Sequence, residues 1–327
     1  TVPRISYDFQ APIREYGQFY ASYHRLRSFH RFLHDFGELL APMEVALPKD
    51  SGQMQPEDSG HLRYAARSKD GSGFLFLNNY QDHVTMQDLK GIHLHLQLKD
   101  QSLSLPSMQG GLTLSKDVSV ILPFNLQLGA GVLLTFATAQ LLTKLSVGEQ
   151  LSYVFFVPQG MQAEFVLDRA TYQTLEVTGG GLYEEEGQGC AIVEPGLQSR
   201  IHLTALDGTV IQLFVLSQEQ ADRCWKVPFQ DQERLVFSQA LVIAEDDELQ
   251  LFWKGQEAVD LAIYPPLEEH VAASRGHLSE TREGDFTLMQ LIVPPYAEVL
   301  DSEQLATKDI CIKLPATTLD EVNDVFL

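Results

Sequence analysis

A few sets of side chains in this 327-residue sequence have types and spacings that could carry chemistry. His93 and His95 stand two apart. On a strand that puts both imidazoles on one face, a spacing some zinc sites use. His30 and His34 stand one helical turn apart. Glu184-Glu185-Glu186, beside Gly179-Gly180-Gly181, and Asp246-Asp247-Glu248 gather carboxylates suited to acid–base work or to a cation. Each set has a plainer reading that fits better. His93 and His95 alternate with Ile92, Leu94, Leu96 and Leu98, as on the wet face of a half-buried antiparallel strand. A third ligand for that pair could only be guessed, with His83 or a neighbouring carboxylate as the options. His30 and His34 border the apolar positions Phe29, Leu33 and Phe36. Carboxylate runs at turns are usually solvated charge, and neither has the Asp-x-Asp-x-Asp-Gly form of a calcium loop. Cys190, Cys224 and Cys311 are far apart, odd in number and outside any zinc-ribbon spacing, so they read as small buried hydrophobes. Gly-x-Ser-x-Gly, His-Glu-x-x-His, Walker and dinucleotide fingerprints do not occur. The glycine triplet reads as a flexible turn, because no helix pattern follows it. No metal and no cofactor is expected. Trp225 and Trp253, the two tryptophans, could serve as sugar platforms. Core anchoring is the preferred reading, since Trp253 lies in an apolar run.

The elements that would position such groups follow from pattern. Hydrophobic residues make up 44% and charged residues 20%, a globular composition. The formal charge of -21 repels phosphate backbones and anionic lipid, so nucleic acid is not an expected partner. Arg25, Arg27 and Arg31 form a small basic cluster that reads as a solvated face. No apolar run reaches the roughly 18 residues of a bilayer span, so no membrane span is expected. Val2–Phe9 reads as a short extended piece. Phe19–Phe36 reads as an amphipathic helix, with Phe19, Tyr23, Leu26, Phe29 or His30, Leu33 and Phe36 at helical spacing and Gly37 as its stop. One strand and one long helix are the repeating unit of an α/β barrel. From about Gly60 the period becomes two. Predicted strands include Phe74–Leu77, Ile92–Leu98, Val132–Ala139, Leu151–Val157, Ala163–Leu167, Arg200–Ala205, Thr209–Leu216, Leu235–Ala244, Leu249–Trp253, Val259–Tyr264 and Phe286–Val293. Turn residues such as Asp207-Gly208 punctuate them.

The expected fold class is therefore mainly β: tandem antiparallel β-sandwich-like domains preceded by one strand and one helix of a TIM barrel. The expected domains are 1–40 (last strand and helix of the barrel), 41–222 (antiparallel β-domain) and 223–327 (second β-domain). Thr1 is not preceded by a signal-like segment, and Asp324-Val325-Phe326-Leu327 is strand-like. On that basis the chain is expected to be cut at both ends.

The most specific stretch is Arg4-Ile5-Ser6-Tyr7-Asp8-Phe9-Gln10-Ala11-Pro12-Ile13-Arg14-Glu15-Tyr16-Gly17. It resembles the signature in which the barrels of family 35 glycoside hydrolases, the β-galactosidase type, end. Ser6, Tyr7, Asp8, Ala11, Pro12, Ile13, Glu15 and Gly17 match; Phe9 stands for the usual Tyr and Ile5 for a common Thr. Ile121–Leu128 and Ala137–Leu142 are similar to the β-domain that follows the barrel in bacterial members. The resemblance implies a parent enzyme that hydrolyses terminal β-galactosides with retention, through two glutamates about 5 Å apart. It places both upstream of Thr1, so this segment alone is expected to be inactive and to carry no catalytic residue. It implies one substrate contact here, Tyr7, whose phenol offers a hydroxyl to a sugar oxygen and a flat face to a sugar ring. Asp8 reads as structural, accepting backbone N–H groups before the helix. The implied partners are a β-galactoside or related oligosaccharide and the catalytic barrel of the same protein. The compartment is open, a secreted or periplasmic parent being the one implied. The alternative is a carbohydrate-binding or purely structural β-sandwich module.

Overall fold

The computed structural model describes residues 11–14, 17, 19–49, 51–99, 101–253 and 258–293, with short strands at Ser302–Gln304, Ile310–Ile312 and Val325–Phe326. Two compact units divide the chain, Thr1–Asp222 and Arg223–Leu327.

The first unit opens with helix α1 (Ala21–Leu40). There follow β1 (Glu44–Ala46), β2 (Arg63–Lys69), β3 (Ser72–Asn78), β4 (Leu89–Ile92), β5 (Leu94–Gln97), β6 (Ser102–Leu105), β7 (Leu112–Leu114), β8 (Ser119–Gln127) and β9 (Leu133–Ala137). Then come β10 (Gln140–Val147), β11 (Gln150–Val157), β12 (Ala163–Asp168), β13 (Tyr172–Thr178), β14 (Gly180–Glu185), β15 (Gln188–Val193), β16 (Arg200–Ala205), β17 (Val210–Ser217) and the short helix α2 (Gln218–Asp222). An eight-stranded sheet has the order β1-β2-β3-β8-β9-β12-β15-β14, and a five-stranded sheet the order β10-β11-β17-β16-β13. The fold is mainly β with antiparallel sandwich-like sheets, as the alternation predicts. One exception is the pair β11–β17, which is parallel.

The two sheets share one core. Phe74, Ile121, Leu126 and Phe165 come from the larger sheet, and Tyr153, Phe155, Leu203 and Leu213 from the smaller. The larger sheet is covered on its other face too. There Leu75, Leu122, Phe124, Phe136 and Val166 pack against Leu105, Leu112 and Leu114 of the excursion that carries β4–β7. Burial on both faces explains why Val120–Leu126 is buried without a break instead of alternating. Asn125 adds a local switch. Its φ of +47° interrupts the pleat, so Phe124 faces one core and Leu126, two residues on, faces the other.

Helix α1 closes one side of this sandwich. Ser28, Phe32, Phe36 and Leu40 are buried, a stripe of four-residue steps. Phe32 meets Phe74 of the larger sheet edge to face at 5.5 Å, and Phe36 stacks on Tyr153 of the smaller at 6.5 Å. Strand β10 is an edge of the five-stranded sheet, and its outer backbone would be unpaired. Asp35 meets that need: its Oδ2 accepts from Lys144 N at 3.2 Å and from the Thr143 hydroxyl. The helix does not stop at Gly37; it continues to Leu40, where the Ala41 N–H bonds back to Gly37 O.

The second unit contains β18 (Cys224–Phe229), β19 (Gln232–Ser238), β20 (Leu241–Glu245), β21 (Glu248–Phe252), β22 (Ala258–Tyr264), β23 (His277–Glu283) and β24 (Phe286–Ile292). Five of these form an antiparallel sheet in the order β18-β19-β22-β24-β23. The expected single strand Leu235–Ala244 is two strands in different sheets. The break is built by Ser238, whose Oγ accepts the Ala240 N–H and donates to Asp260 O. The β20–β21 turn needs left-handed backbone at both central residues, and Asp246 and Asp247 supply it at φ +51° and +61°.

Candidate functional site

Tyr7 and Asp8 lie outside the described residues, as does Glu15. The site that can be built from described side chains is a cleft of about 580 Å³ on the open flank of α1. Its walls come from six segments: the N-terminal half of α1, the end of β3, the start of β8, the end of β11, and Gln140 and Gln218 at the starts of β10 and α2. Each segment is fixed for a local reason. Asn78 brackets the backbone of Tyr80, accepting its N–H at 3.0 Å and donating to its carbonyl at 3.1 Å. Asn79 is wholly buried; its side-chain Nδ2 donates to Gln87 O and Ser115 O, and its backbone carbonyl accepts the Asp117 N–H at 2.9 Å. Asp117 itself sits at φ +63°, a left-handed position that Asp and Asn tolerate. The result holds Tyr80 and Asp117 on the rim, with Tyr80 49% exposed. Phe29, 39% exposed, lines the helix side, and the buried Phe156 lies deeper.

The polar groups of the cleft are incompletely used. Gln140 is 7% exposed; its Oε1 accepts from Ile121 N, and no protein acceptor among the described residues takes its Nε2 donors. Ser28 Oγ is buried with no partner. The arrangement can bind; nothing in it activates a nucleophile.

The sequence profile of the family described as Beta-galactosidase, domain 2, matches residues 50–223, more than half of the chain. The chain belongs to that family. No curated protein matches it. The match takes in β2 through β17 and α2, including the Ile121–Leu142 region whose resemblance pointed the same way, and begins after α1. Residues 50–223 are thus a β-galactosidase accessory domain.

The other sequence candidates fall apart as sites in this β-galactosidase domain 2 chain. His93 lies in the break between β4 and β5, exposed, while His95 on β5 bonds Ser104 Oγ at 2.9 Å. The expected strand Ile92–Leu98 is therefore interrupted at His93, although its alternation holds. His34 is exposed and bonds Asp35, the carboxylate that holds β10. Glu184 and Glu185 stand in β14 rather than in a turn, and Glu184 pairs with Arg169 at 3.3 Å. Gly180 and Gly181 also belong to β14, so only Gly179, at φ +77°, does the turning. A Cβ at Gly180 would strike Ile192 O, which is why glycine is required there. Arg27, expected on a solvated face, donates to Asp222 O at 2.6 Å and ties α1 to α2. Cys190 and Cys224 are buried and in no disulfide. Trp225 is buried and donates to Ser238 O; Trp253 is half-buried. Among the described residues no group of three His, Cys, Asp or Glu side chains is placed to hold a metal, and no helix is long and apolar enough to cross a membrane.

Sequence reasoning missed a buried carboxylate. Glu164 on β12 has no exposed surface. It accepts from Ser107 N at 3.0 Å and from the Ser107 hydroxyl, with Tyr183 Oη at 3.4 Å. Burial, then the Glu164 charge, pushes the Cys190 thiol up, so it is a poor nucleophile. The cluster pins the β4–β7 excursion to the sheet. The clue available in the sequence was an acidic residue inside the apolar run Ala163–Leu167.

Proposed function

We propose that this chain is the accessory β-region of an enzyme that hydrolyses terminal β-galactosides with retention. Residues 1–40 contribute the last strand and helix of the catalytic barrel, 41–222 the β-domain after it, and 223–327 a second β-domain. The observation that carries the reading is the domain 2 match at 50–223, directly preceded in sequence by a helix seated in that domain's core. The Ser6-Tyr7-Asp8 resemblance supports the barrel assignment of the segment before it. On this reading the two carboxyl groups of retaining hydrolysis, about 5 Å apart, belong to barrel strands outside this chain. The chain's own contribution to the galactose pocket is Tyr7, at the C-terminal end of a barrel strand, where active-site residues collect. Here α1 acts as a rivet: Phe32, Phe36 and Leu40 anchor it in the sandwich while its N-terminal half continues the barrel.

The test is turnover of 4-nitrophenyl β-galactoside by the purified chain beside the enzyme that includes the barrel. The chain alone is expected to show none. Turnover that survives repurification and vanishes on mutating a carboxylate of this chain would overturn the reading. In the complete enzyme, Tyr7→Phe is expected to lower kcat/KM by about tenfold, the value of one lost hydrogen bond of about 1.4 kcal/mol.

A further inference from the structure

We propose that the cleft on the flank of α1 is a binding site for a neutral saccharide. This goes beyond the accessory-domain reading and rests on the cleft alone; only the choice of a galactosyl sugar among the probes comes from the family.

Size comes first. A volume of about 580 Å³ lies within the range of roughly 300–1,000 Å³ typical of small-molecule sites. It is ample for two or three sugar rings and far larger than a bound ion requires. The lining comes next. Phe29 on one side and Tyr80 on the other are large rings left 39% and 49% exposed. A sugar ring presents patches of C–H that pack on aromatic faces while its hydroxyls point outward. Exposed rings next to hydrogen-bonding groups match that mixed chemistry. Such groups are present. The Asp117 carboxylate and the Gln159 side-chain amide line the cleft with no hydrogen bond to a described residue, and the Arg25 guanidinium lines it while interacting with the Asp222 charge. Deeper in, the buried Ser28 Oγ has no partner, and Gln140 spends only its Oε1, on the Ile121 N–H. Polar groups on buried side chains normally find a partner, so a lining of this kind is built for water or for a ligand that replaces it.

Charge narrows the class. The cleft is lined by one carboxylate, Asp117, and one guanidinium, Arg25, whose charge also acts on Asp222, so the lining holds no surplus of positive charge to draw in an anion. The molecule's net charge of -21 disfavours an anion further. A hydrocarbon ligand would strip water from Asp117, Arg25 and Gln159 with no return. A hydroxyl-rich neutral molecule satisfies these donors and acceptors together. Carboxylate and guanidinium are both suited to pairs of adjacent hydroxyls.

The experiment is titration calorimetry of the full chain with β-1,4-galactotriose, cellotriose and xylotriose, and with trigalacturonate as the charged counterpart. Wild type, Tyr80→Ala and Asp117→Asn are compared, with thermal melts to show that each variant is folded. Asn keeps the left-handed backbone at position 117, so that variant remains available if the first one fails to fold. Saturable binding of at least one neutral trisaccharide is expected. Tyr80→Ala is expected to weaken it about tenfold, equivalent to about 1.4 kcal/mol, and Asp117→Asn by a smaller factor. Binding of none of the three at millimolar sugar would overturn the proposal. So would neutral binding that both variants leave unchanged, or tighter binding of trigalacturonate than of the neutral sugars. None of these outcomes depends on hydrolysis, so failure here leaves the accessory-domain reading standing, and the converse holds.

Discussion

In the C-terminal half of α1, Phe32, Phe36 and Leu40 keep 0%, 4% and 6% of their surface, whereas in the N-terminal half Leu26 and Phe29 keep 42% and 39%. The two halves share one helix, similar side chains and helical spacing. They differ in what lies beneath. Phe32 and Phe36 reach into the seam between the two sheets and touch an aromatic ring of each. Phe29 overhangs the cleft instead, and the nearest helix, α2, is held by the polar bond from Arg27 to the Asp222 carbonyl. Burial on a helix is thus decided by the partner surface, and the helical repeat only nominates candidates. One end of α1 serves stability; the other presents a surface.

The sharpest way to break this contrast is to truncate one ring from each half. Phe32→Ala removes a wholly buried ring from the core between the sheets, and we expect a loss of about 3–5 kcal/mol. Phe29→Ala should cost about 1–2 kcal/mol, in proportion to the part of the ring that is covered. Urea denaturation, followed on the transition of the first unit, measures both. Equal losses would show that the two halves of α1 are seated alike.

Asp35→Ala probes the polar part of the same seat. Its carboxylate satisfies the Thr143 hydroxyl and the Lys144 N–H along the edge of β10. Removal leaves the wholly buried Thr143 hydroxyl and an edge amide without their acceptor, a cost of about 1–3 kcal/mol. Asp35→Asn, which retains one acceptor oxygen, should lose less. Two variants that melt at the wild-type temperature would mean that aromatic packing alone holds the helix.

The same comparison shows what could be read from sequence. The mainly β character was legible because strands such as β16, from Arg200 to Ala205, alternate between turn signals. The helix was legible too, but its face was rotated. The predicted stripe Leu26–Phe29–Leu33–Phe36 shares only Phe36 with the buried one, because Ser28 does not advertise itself as core and Leu40 lies past the apparent stop at Gly37. Leu235–Ala244 looked like one strand because nothing apolar marks a crossing; the break is made by a serine hydroxyl. Family membership was visible in Ile121–Leu142, which falls within the matched region. The cleft was not visible. Its residues are scattered from Arg25 to Gln218 and mix buried apolar with polar types, none of them distinctive one by one. Convergence of distant segments leaves no local period to detect.

The smallest effect concerns the junction of α1 with α2, where His24 is half-buried. Burial, then the nearby Arg27 charge, lowers the His24 pKa below 6.5, with Asp222 partly opposing through its charge and its backbone. In the unfolded chain His24 takes up a proton near 6.5; in the folded chain it resists. A depressed folded pKa contributes stability that is complete above 6.5 and is lost as pH falls toward the folded value. One proton bounds the slope at about 1.4 kcal/mol per pH unit. Asp222 works in the opposite sense. Burial raises its pKa, so its contribution is complete below 3.8 and disappears as pH rises through the folded value. The two are separable by substitution. Between about pH 7.5 and about pH 5.5, the first unit of His24→Gln should lose less stability than wild type, because glutamine carries no proton to be refused. Urea midpoints at the two pH values read the difference. Identical slopes for the two proteins would mean that His24 is as hydrated as an exposed histidine, and that the bare end of α1 begins one turn further along the helix than its contacts with α2 suggest.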